Sequence, residues 1–457
     1  MIKTVRKKEW DMLLELTEKN RKVIEETAWE IWNHPEIGYK EWKTSQLLED
    51  KFTALGYQIK KAGNIPGFTA DLETGKPGPV IGIIAELDSL ICHEHRDADR
   101  ETGAVHACGH NCQSAYLIGT AAVFADARAL EKLSGTIRFV SVPAEETIDM
   151  EYRNSLISQG VIHYMAGKIE FLYRGLLDGM DMGILMHADA GGPHLIEIFD
   201  GCDGCITKHF EFEGKAAHAG AAPYDGINAL YEASLGLQAC NALRETFRDE
   251  DHIRFHPIIT QAGVAANAIP YAAKMDAYCR AARADRMIET NGRINRALSA
   301  AAAALGGNLH LVDRPGNLPL HNSRGINELF AGIGKELFGE GGVKYGPWQA
   351  GSCDLGDLSS LMPVSQIMAT GAAGTLHGND YRMADVERLC VNPVRLISIA
   401  LYELLSDDGK LARSVIDEYA PVFASKEDYF AMINSIEADC RTVIYNEDGS
   451  ILLKGPF

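Results

Sequence analysis

The sequence predicts an α/β fold with a discontinuous main domain, a mostly parallel sheet covered by helices, and an inserted ferredoxin-like α+β domain. Three observations support this prediction. Short, nearly continuous apolar runs alternate with helical segments, which is typical of parallel strands buried on both faces. Between about residues 201 and 314, polar and apolar residues alternate instead, as in half-exposed antiparallel strands. The first pattern then resumes and continues towards the C-terminus.

The first 75 or so residues are predicted to be largely helical. DMLLELTEKNRKVIEETAWEIW and TSQLLEDKFTALGY both place apolar residues at helical spacing. The N-terminal MIKTVRKKEWDMLLELTEKN has basic residues but no continuous apolar core and no small-residue cleavage site, so it is interpreted as a polar helix rather than a signal peptide. The turn signal TGKPGP closes this region.

Four apolar runs follow, and each ends in residues that can ligate a metal or carry a proton. The runs are VIGIIAELD, TIRFVSVPAEE, MGILMHAD and PVSQIMATGAAGTLH; the groups at their ends are Glu86 and Asp88, Glu145 and Glu146, His187 and Asp189, and His377. Ligands of open α/β sheets bind beyond the carboxyl ends of the strands. The four runs therefore predict one shared site.

The inserted domain is predicted from a change of pattern. ITKHFEFEG and KMDAYCRAAR alternate like antiparallel strands, and DGINALYEASLGLQACNALRE and RMIETNGRINRALSAAAAAL are helical in spacing. The order strand, helix, strand, strand, helix, strand is that of a ferredoxin-like unit. The predicted domains are 1–200, the first part of a catalytic domain; 201–314, an inserted lid; and 315–457, the second catalytic part, with a polar extension from 408.

Composition excludes several classes of partner. The 457 residues carry a formal charge of −19 and no Lys/Arg-rich run, which argues against nucleic acid or an anionic membrane surface as a partner. No apolar run approaches the roughly 20 residues that span a bilayer. The ten Cys follow no disulfide framework, so a reducing, cytoplasmic location is expected.

The stretch VHACGHNCQSA, residues 105–115, contains two Cys and two His, side chains that can bind a metal or act as catalysts. Cys108 and His110, two residues apart before a helix, can both reach one metal cluster. Together with the adjacent Glu145 and Glu146, and with His187 and His377, they predict a metal site in which one carboxylate of the pair would be a ligand and the other a base. A Cys-His nucleophile would instead need an orienting group rather than three further ligands. Cys202 and Cys205 have CxxC spacing but no second pair, and they are interpreted as packing residues.

These residues resemble the aminoacylase and carboxypeptidase-like metallohydrolases of peptidase family M20, subfamily D. HPEIGYKE, HACGHN, PAEE, MHAD and GKAAHAGAAPYDGINAL occur in the family's order, and the resemblance covers roughly residues 25–405. GHN combined with GSCDLGDLS is similar to the subgroup that contains the B-type subunit of aminobenzoyl-glutamate hydrolase and related dipeptidases.

The resemblance implies two divalent metal ions, zinc or manganese, and a role for each matching residue. The implied ligands are Cys108, His110, Glu146, His187 and His377, with Cys108 at the position where many relatives bridge the metals with Asp. Glu145 would be the general base and Asp88 would orient a ligand. His218 would reach the active site of a dimer partner and steady the oxyanion, while Asn267 and Arg280 would hold the substrate's carboxylate.

The chain departs from the family pattern near the metals. Most members have GHD followed by a His two residues later, where this chain has Asn111 and Gln113. The strand motif usually written ADMDALP is AELDSLI here, with Glu86 in place of Asp. Both departures concern the surroundings of the ligands.

The predicted function is metal-dependent hydrolysis of the amide bond of an N-acyl or N-aroyl amino acid, with p-aminobenzoyl-glutamate as the first candidate. Metal-activated water would attack and Glu145 would act as base. The substrate would be a small molecule with a free carboxylate, and the enzyme a homodimer joined through its lid, with a second subunit type possible. The alternatives are a dipeptidase of the same architecture and a non-catalytic homologue that binds a metal or ligand.

Overall fold

The structure is a computed structural model that describes residues 6–457. The first five residues of the predicted N-terminal helix lie outside it. The chain divides into two compact units. Unit one comprises 6–201, 321–348 and 357–422, and unit two comprises 202–320, 349–356 and 423–457.

Residues 6–457 form thirteen α-helices and twenty-one strands. The α-helices are α1 (Lys7–Lys19), α2 (Arg21–Trp32), α3 (Trp42–Ala54), α4 (His110–Phe124), α5 (Met150–Ser158), α6 (Gly167–Tyr173), α7 (Ala229–Leu243), α8 (Ala284–Ala304), α9 (Arg324–Phe338), α10 (Leu355–Ser359), α11 (Asn392–Leu405), α12 (Lys410–Glu418) and α13 (Lys426–Ile436). The strands are β1 (Ile59–Lys61), β2 (Phe68–Glu73), β3 (Val80–Glu86), β4 (Leu90–Ile91), β5 (Ala104–Val105), β6 (Thr136–Val142), β7 (Met182–Asp189), β8 (Ile196–Ile198), β9 (Gly201–Cys202), β10 (Gly204–Glu213), β11 (Arg254–Ala262), β12 (Ala272–Ala281), β13 (Asn308–Asn317), β14 (Leu320–His321), β15 (Val343–Tyr345), β16 (Val364–Thr370), β17 (Ala372–Ala373), β18 (Arg382–Met383), β19 (Ala438–Arg441), β20 (Val443–Tyr445) and β21 (Ile451–Leu453).

Unit one contains a mixed sheet with the strand order β1-β2-β6-β3-β7-β16-β8-β15 among the described residues. Its four central strands, β6, β3, β7 and β16, are mutually parallel. They are the four apolar runs of the sequence, and almost every residue in them is buried. The predicted α/β class is confirmed, and the carboxyl ends of these strands share one edge of the sheet.

Helix α4 lies in the interior of unit one. Every residue from His110 to Phe124 is buried, and the helix packs against α2, β3, β7 and α11. Its sequence, HNCQSAYLIGTAAVF, is small or apolar on all sides, which is the composition of a helix surrounded by protein. The helix begins directly after Cys108 and Gly109, so its N-terminus fixes the motif of the candidate site.

Unit two contains an antiparallel sheet with the order β11-β12-β10-β13-β19. The first four strands with α7 and α8 have the ferredoxin-like connectivity that the sequence predicts. Strands β10 and β12 bury alternate residues against the two helices and leave the other residues partly open. This accounts for the polar and apolar alternation of the insert.

Two regions differ from the sequence-based expectation. Residues 59–73, expected within a largely helical region, contain β1 and β2, which pair antiparallel at the edge of the main sheet. Residues 423–457 belong to unit two rather than to the second catalytic part, because β19 pairs with β13. Short, partly exposed strands lack the apolar run or long alternation by which a strand is recognised.

Two further features concern the whole described chain. Within residues 6–457, no helix is both long and apolar enough to cross a membrane. None of the ten cysteines is in a disulfide, and eight of them are buried. Their burial agrees with the interpretation of most cysteines as packing residues.

Candidate metal centre

Five side chains from different parts of unit one meet beyond the carboxyl ends of the central strands. They are Cys108, His110, Glu146, His187 and His377, the five ligands implied by the sequence. The Sγ atom of Cys108 lies 3.4 Å from His187 Nε2 and 3.3 Å from His377 Nε2. His377 Nε2 is 3.1 Å from Glu146 Oε1. Residues up to 269 positions apart along the chain therefore share one cluster.

The donors form two groups that share the sulfur of Cys108. Within each group the ligand atoms lie within 4.8 Å of one another, and the groups are Cys108, His110 and His187 on one side and Cys108, Glu146 and His377 on the other. A thiolate, imidazoles and a carboxylate are the ligand types that zinc takes in proteins. His110 Nε2 is buried without a hydrogen bond of acceptable geometry, although Glu86 Oε2 lies 3.1 Å away, so a bound cation would give this nitrogen a partner. The donor set fits two divalent cations, with the sulfur of Cys108 within reach of both groups.

Gly109 allows Cys108 and His110 to face the same cluster. Its φ of 84° is in the left-handed region, where glycine carries no steric penalty. A Cβ at this position would lie 2.4 Å from the Cβ of Ala188 and 2.6 Å from the hydroxyl of Tyr381. Glycine is therefore required here both by the backbone conformation and by the surrounding side chains.

Asp88, at the end of β3, contacts two members of the cluster. Its carboxylate accepts a hydrogen bond from His110 Nδ1 at 3.0 Å and another from the backbone N–H of Glu146 at 2.8 Å. Since a carboxylate only accepts, Nδ1 carries a ring proton, which leaves Nε2 as the nitrogen that would face a bound cation. Asp88 thus holds the imidazole and the Pro143–Glu146 turn in fixed positions.

Glu145 lies beside the cluster and is half-buried. One of its carboxylate oxygens is within 4.8 Å of ligand atoms of His110 and Glu146. The preceding Ala144 has a φ of 59°, and His377 has a φ of 63°, both unusual for residues other than glycine. Such conformations persist only where the surroundings hold them, and they concentrate at functional sites.

In the second donor group, Glu146 and His377 stabilise each other's charged forms, whereas Glu146 opposes ionisation of Cys108. The hydrogen bond with Glu146 raises the pKa of His377 above its ordinary value. Burial opposes ionisation of Glu146, but the hydrogen bond and charge of His377 outweigh burial and lower the pKa of Glu146. Burial, and then the negative charge of Glu146, raise the pKa of Cys108 well above that of an ordinary thiol.

The first group is surrounded by negative charge. Burial alone would lower the pKa of His110, but the charges of Cys108 and Glu86 raise it well above its ordinary value. Burial, followed by the charge of His110, lowers the pKa of His187. A cation held at this point would balance the anionic groups that converge on it.

Beside the first donor group lies a buried network of Glu86, Lys168 and Gln113, which was not predicted as a group from the sequence. Lys168 Nζ is 2.5 Å from Glu86 Oε1, and Gln113 Nε2 donates to Glu86 Oε2 at 2.6 Å. The same Oε2 lies 3.1 Å from His110 Nε2. Glu86 and Gln113 are two of the positions that depart from the family pattern, which was the available signal, whereas Lys168 on α6 carries none.

The remaining predicted site residues, His218, Asn267 and Arg280, lie in unit two. His218 is exposed, and its Nδ1 accepts from the N–H groups of Gly220 and Ala221 at 3.2 and 3.0 Å. Asn267 is also exposed, and its backbone carbonyl accepts from the N–H of Ala219 at 2.9 Å.

Arg280 lies on the open face of β12. It donates to Ser352 Oγ at 2.7 Å and lies over the ring of Tyr278 at 5.3 Å. Its guanidinium is partly exposed, with donors beyond the one that reaches Ser352. The three residues of unit two remain predictions of substrate contact.

Comparison with known proteins points to one family. Residues 202–305 match the M20 peptidase dimerisation domain. The A-type subunit of p-aminobenzoyl-glutamate hydrolase from Escherichia coli is 29% identical over 232 residues, 48% of each chain. N-acetylcysteine deacetylase from Bacillus subtilis is 29% identical over 264 residues, 55% of this chain and 63% of that one. The chain thus spans about half the length of the curated relatives it matches, or somewhat more.

A solved structure extends the similarity in fold to most of the chain. The YxeP protein of Bacillus subtilis, described as a dinuclear metal-binding peptidase of the M20 family, superposes with a TM-score of 0.66 at 19% identity. The superposition covers 86% of this chain and 99% of that one. The resemblance inferred from the motifs is confirmed: residues 202–305 match the M20 dimerisation domain, and the relatives are aminoacylase- and carboxypeptidase-like metallohydrolases of the M20 family.

Proposed function

We propose that the protein is a metal-dependent amidohydrolase that cleaves the amide bond of an N-acyl or N-aroyl amino acid. The observation that carries the proposal is the pair of donor groups sharing Cys108, with Glu145 beside them. Relatives named p-aminobenzoyl-glutamate hydrolase and N-acetylcysteine deacetylase support this reaction class. p-Aminobenzoyl-glutamate is the first substrate to test.

Five residues would hold two divalent cations, zinc or manganese. They are Cys108, His110, Glu146, His187 and His377, and the sulfur of Cys108 belongs to both donor groups. When bound, such a pair of ions lowers the pKa of water and polarises a carbonyl oxygen. The similarity in fold to YxeP, a dinuclear metal-binding peptidase, supports a two-metal site.

Glu145 would be the general base. Hydrolysis of an amide requires that a proton leave the attacking water and that the departing nitrogen receive one. The Glu145 carboxylate is near the donors of both groups, so it can accept the first proton and deliver it to the nitrogen. A positioned acid or base of this kind typically contributes about 10²–10⁴-fold in rate.

Arg280 and Asn267 would bind the free carboxylate of the substrate. The guanidinium fork of Arg280 matches a carboxylate in two parallel hydrogen bonds. A requirement for this carboxylate would favour acylated amino acids and dipeptides over long peptides. His218 would meet the oxyanion from the partner subunit, where loss of one donor typically costs about 10²–10³ in rate.

The active assembly would be a homodimer. The match to a peptidase dimerisation domain supports this arrangement. A second subunit type is a further possibility, since both the A-type and the B-type subunit of p-aminobenzoyl-glutamate hydrolase belong to the relatives. The ten free thiols favour a reducing, cytoplasmic compartment.

The test combines metal analysis with turnover. The purified protein, supplemented with zinc or manganese, is analysed by mass spectrometry for bound metal and assayed with N-acyl amino acids, p-aminobenzoyl-glutamate and dipeptides. Glu145→Gln should retain metal and lose at least about a hundredfold in kcat, the lower end of what a positioned base contributes. Failure to retain any metal would favour a binding protein, and a strict requirement for a free α-amine would identify a dipeptidase.

Subunit mixing tests the role of His218. Neither His218→Ala nor Glu145→Gln should be active alone if each disables a different contribution to the same site. A mixed dimer would contain one site with both residues intact, so activity should return on mixing. Absence of any rescue in verified heterodimers would contradict a shared site.

A further inference from the structure

The backbone that carries Glu145 adopts a conformation that its own sequence does not favour. Ala144 has a φ of 59°, where L side chains are rare, and Glu145 follows immediately. The position of the Glu145 carboxylate therefore depends on what holds this turn from outside. Two buried side chains, a guanidinium and a carboxyl group, do so.

Arg153, on α5, holds the carbonyl side of the turn. Its Nη1 donates to the carbonyl of Ala144 at 3.3 Å and to that of Met165 at 2.6 Å, and its Nη2 donates to the carbonyl of Glu146. The side chain is 1% exposed. The guanidinium thus binds the carbonyls of the residues on both sides of Glu145.

Glu41 holds the amide side of the same turn. Its Oε1 accepts from the N–H of Ala144 at 2.8 Å, and the residue is completely buried. Ala144 is therefore bound through its N–H by Glu41 and through its carbonyl by Arg153. A planar arginine with several donors can fix a backbone turn in a way that a single ammonium cannot.

Glu41 ends the segment HPEIGYKE, residues 34–41, for which the proposed reaction has no use. Tyr39 packs its ring 5.6 Å from the Arg153 guanidinium and donates to the carbonyl of Tyr164 at 3.0 Å. A Cβ on Gly38 would lie 2.5 Å from Arg153 Nη2 and 3.0 Å from the Cα of Ala144. The segment is therefore in close contact with the turn and with Arg153.

The same segment also supports the end of β3. The backbone carbonyl of Glu36 accepts from the N–H of Ser89 at 2.8 Å and from its hydroxyl at 2.9 Å. Ser89 directly follows Asp88, which binds His110 and the N–H of Glu146. One segment thus contacts two strand ends that contribute to the centre.

We propose that Arg153 and the segment 34–41 are positioning elements that hold the Glu145 carboxylate in its working place. The proposal rests on the proposed function, because it assigns these residues a task only if Glu145 is the base. Their influence would be on the rate of the chemical step rather than on metal content or substrate binding.

Arg153→Lys tests the proposal, since lysine keeps the positive charge but lacks the planar guanidinium with its several N–H donors. We expect kcat to fall at least tenfold, with KM and the bound metal, measured by mass spectrometry, within twofold of the wild type. Arg174→Lys is the matched control. Arg174 also donates to backbone carbonyls, those of Ala62 and Val161, but it has no contact with the turn. Its replacement should leave kcat within twofold.

A double variant separates positioning from general damage. In a Glu145→Gln background, Arg153→Lys should lower the residual kcat by less than twofold, because the base that it positions is already gone. An equal fall in both backgrounds, or a change in KM alone, would overturn the proposal. If Glu145→Gln itself remains fully active, the proposed function fails instead, and the two failures are distinguishable.

Glu41 provides a second route if Arg153→Lys does not fold. Glu41→Ala removes the acceptor for the N–H of Ala144 and should lower kcat at least tenfold. Glu41→Gln keeps an acceptor oxygen and should remain within threefold of the wild type. Equal activities of the two Glu41 variants would overturn the assignment.

Discussion

Replacement of Lys168 by Met should destabilise unit one through the charge that it leaves behind. Lys168 is 1% exposed and Glu86 is not exposed at all, and their charged atoms are 2.5 Å apart. Met has a similar length but no charge, so the variant keeps most of the packing. The Glu86 carboxylate then remains in the interior without its cation.

The expected magnitude follows from the surroundings of Glu86. Burial alone would raise the pKa of Glu86, but Lys168, followed by His110 and His187, lowers it to about 2. Breaking a buried ion pair from one side typically costs about 3–5 kcal/mol. Gln113 still donates to the carboxylate, which places the loss near the lower limit. At about 2.1 cal/mol/K per residue, a unit of roughly 300 residues should lose about 5 °C in Tm for 3 kcal/mol.

The assay is thermal unfolding followed by circular dichroism, with a chelator present so that metal binding does not contribute. The control is the double variant Lys168→Met/Glu86→Gln, in which no charge is stranded and at least half of the loss in Tm should return. A loss below about 1 °C in the single variant would refute the reasoning. So would a double variant whose loss equals the sum of the two single losses.

Three other predictions concern pH, backbone and metal. Burial, and then the charge of Glu213, raise the pKa of Glu232 from 4.5 to about 8. Between these pH values the folded protein keeps the Glu232 proton and the unfolded protein has lost it. Unit two should therefore become less stable as the pH rises from about 4.5 to 8. Glu232→Gln should flatten that dependence in melting curves at pH 5 and pH 8.5, and an unchanged slope would contradict it. Gly109→Ala should lower Tm more than Gly56→Ala. Both glycines have a positive φ, but only a Cβ at Gly109 would meet a neighbouring atom, the Cβ of Ala188 at 2.4 Å. Equal losses in Tm would contradict the steric argument. Zinc at about 100 times its Kd should raise the free energy of unfolding, measured by chemical denaturation, by about 2.7 kcal/mol for each ion bound. Cys108→Ala should abolish the gain because its sulfur belongs to both donor groups.

The central architecture could be predicted because its signals are local. Each of the four parallel strands is a continuous apolar run, since both of its faces are covered. Their polar residues follow the strand ends and so must appear at one edge of the sheet. These two facts bring His187 and Glu146 together without knowledge of the connections between the strands.

The supports of the site could not be predicted because their signals are not local. Arg153 and Lys168 lie on short helices with no distinctive pattern, and long charged side chains are usually exposed. The role of Arg153 can be inferred only from the structure, in which Ala144 has a positive φ and its carbonyl accepts a hydrogen bond from Arg153. A buried charged side chain is stable only with a partner, and here each partner lies in another element of the chain.

The two departures from the family pattern at Glu86 and Gln113 also could not be interpreted from the sequence, because the contact between them is not local. Taken separately, Glu86 in place of Asp and Gln113 in place of His each remove a familiar residue beside the metals. In the structure the two side chains face each other: the N–H of Glu86 donates to Gln113 Oε1 at 3.0 Å, and Gln113 Nε2 donates back at 2.6 Å. The longer carboxylate reaches both the amide and Lys168, so the negative charge beside His110 is kept and held by new partners. Because Glu86 and Gln113 form one hydrogen-bonded pair beside the first donor group, the two departures from the family pattern constitute one coupled change in this structure.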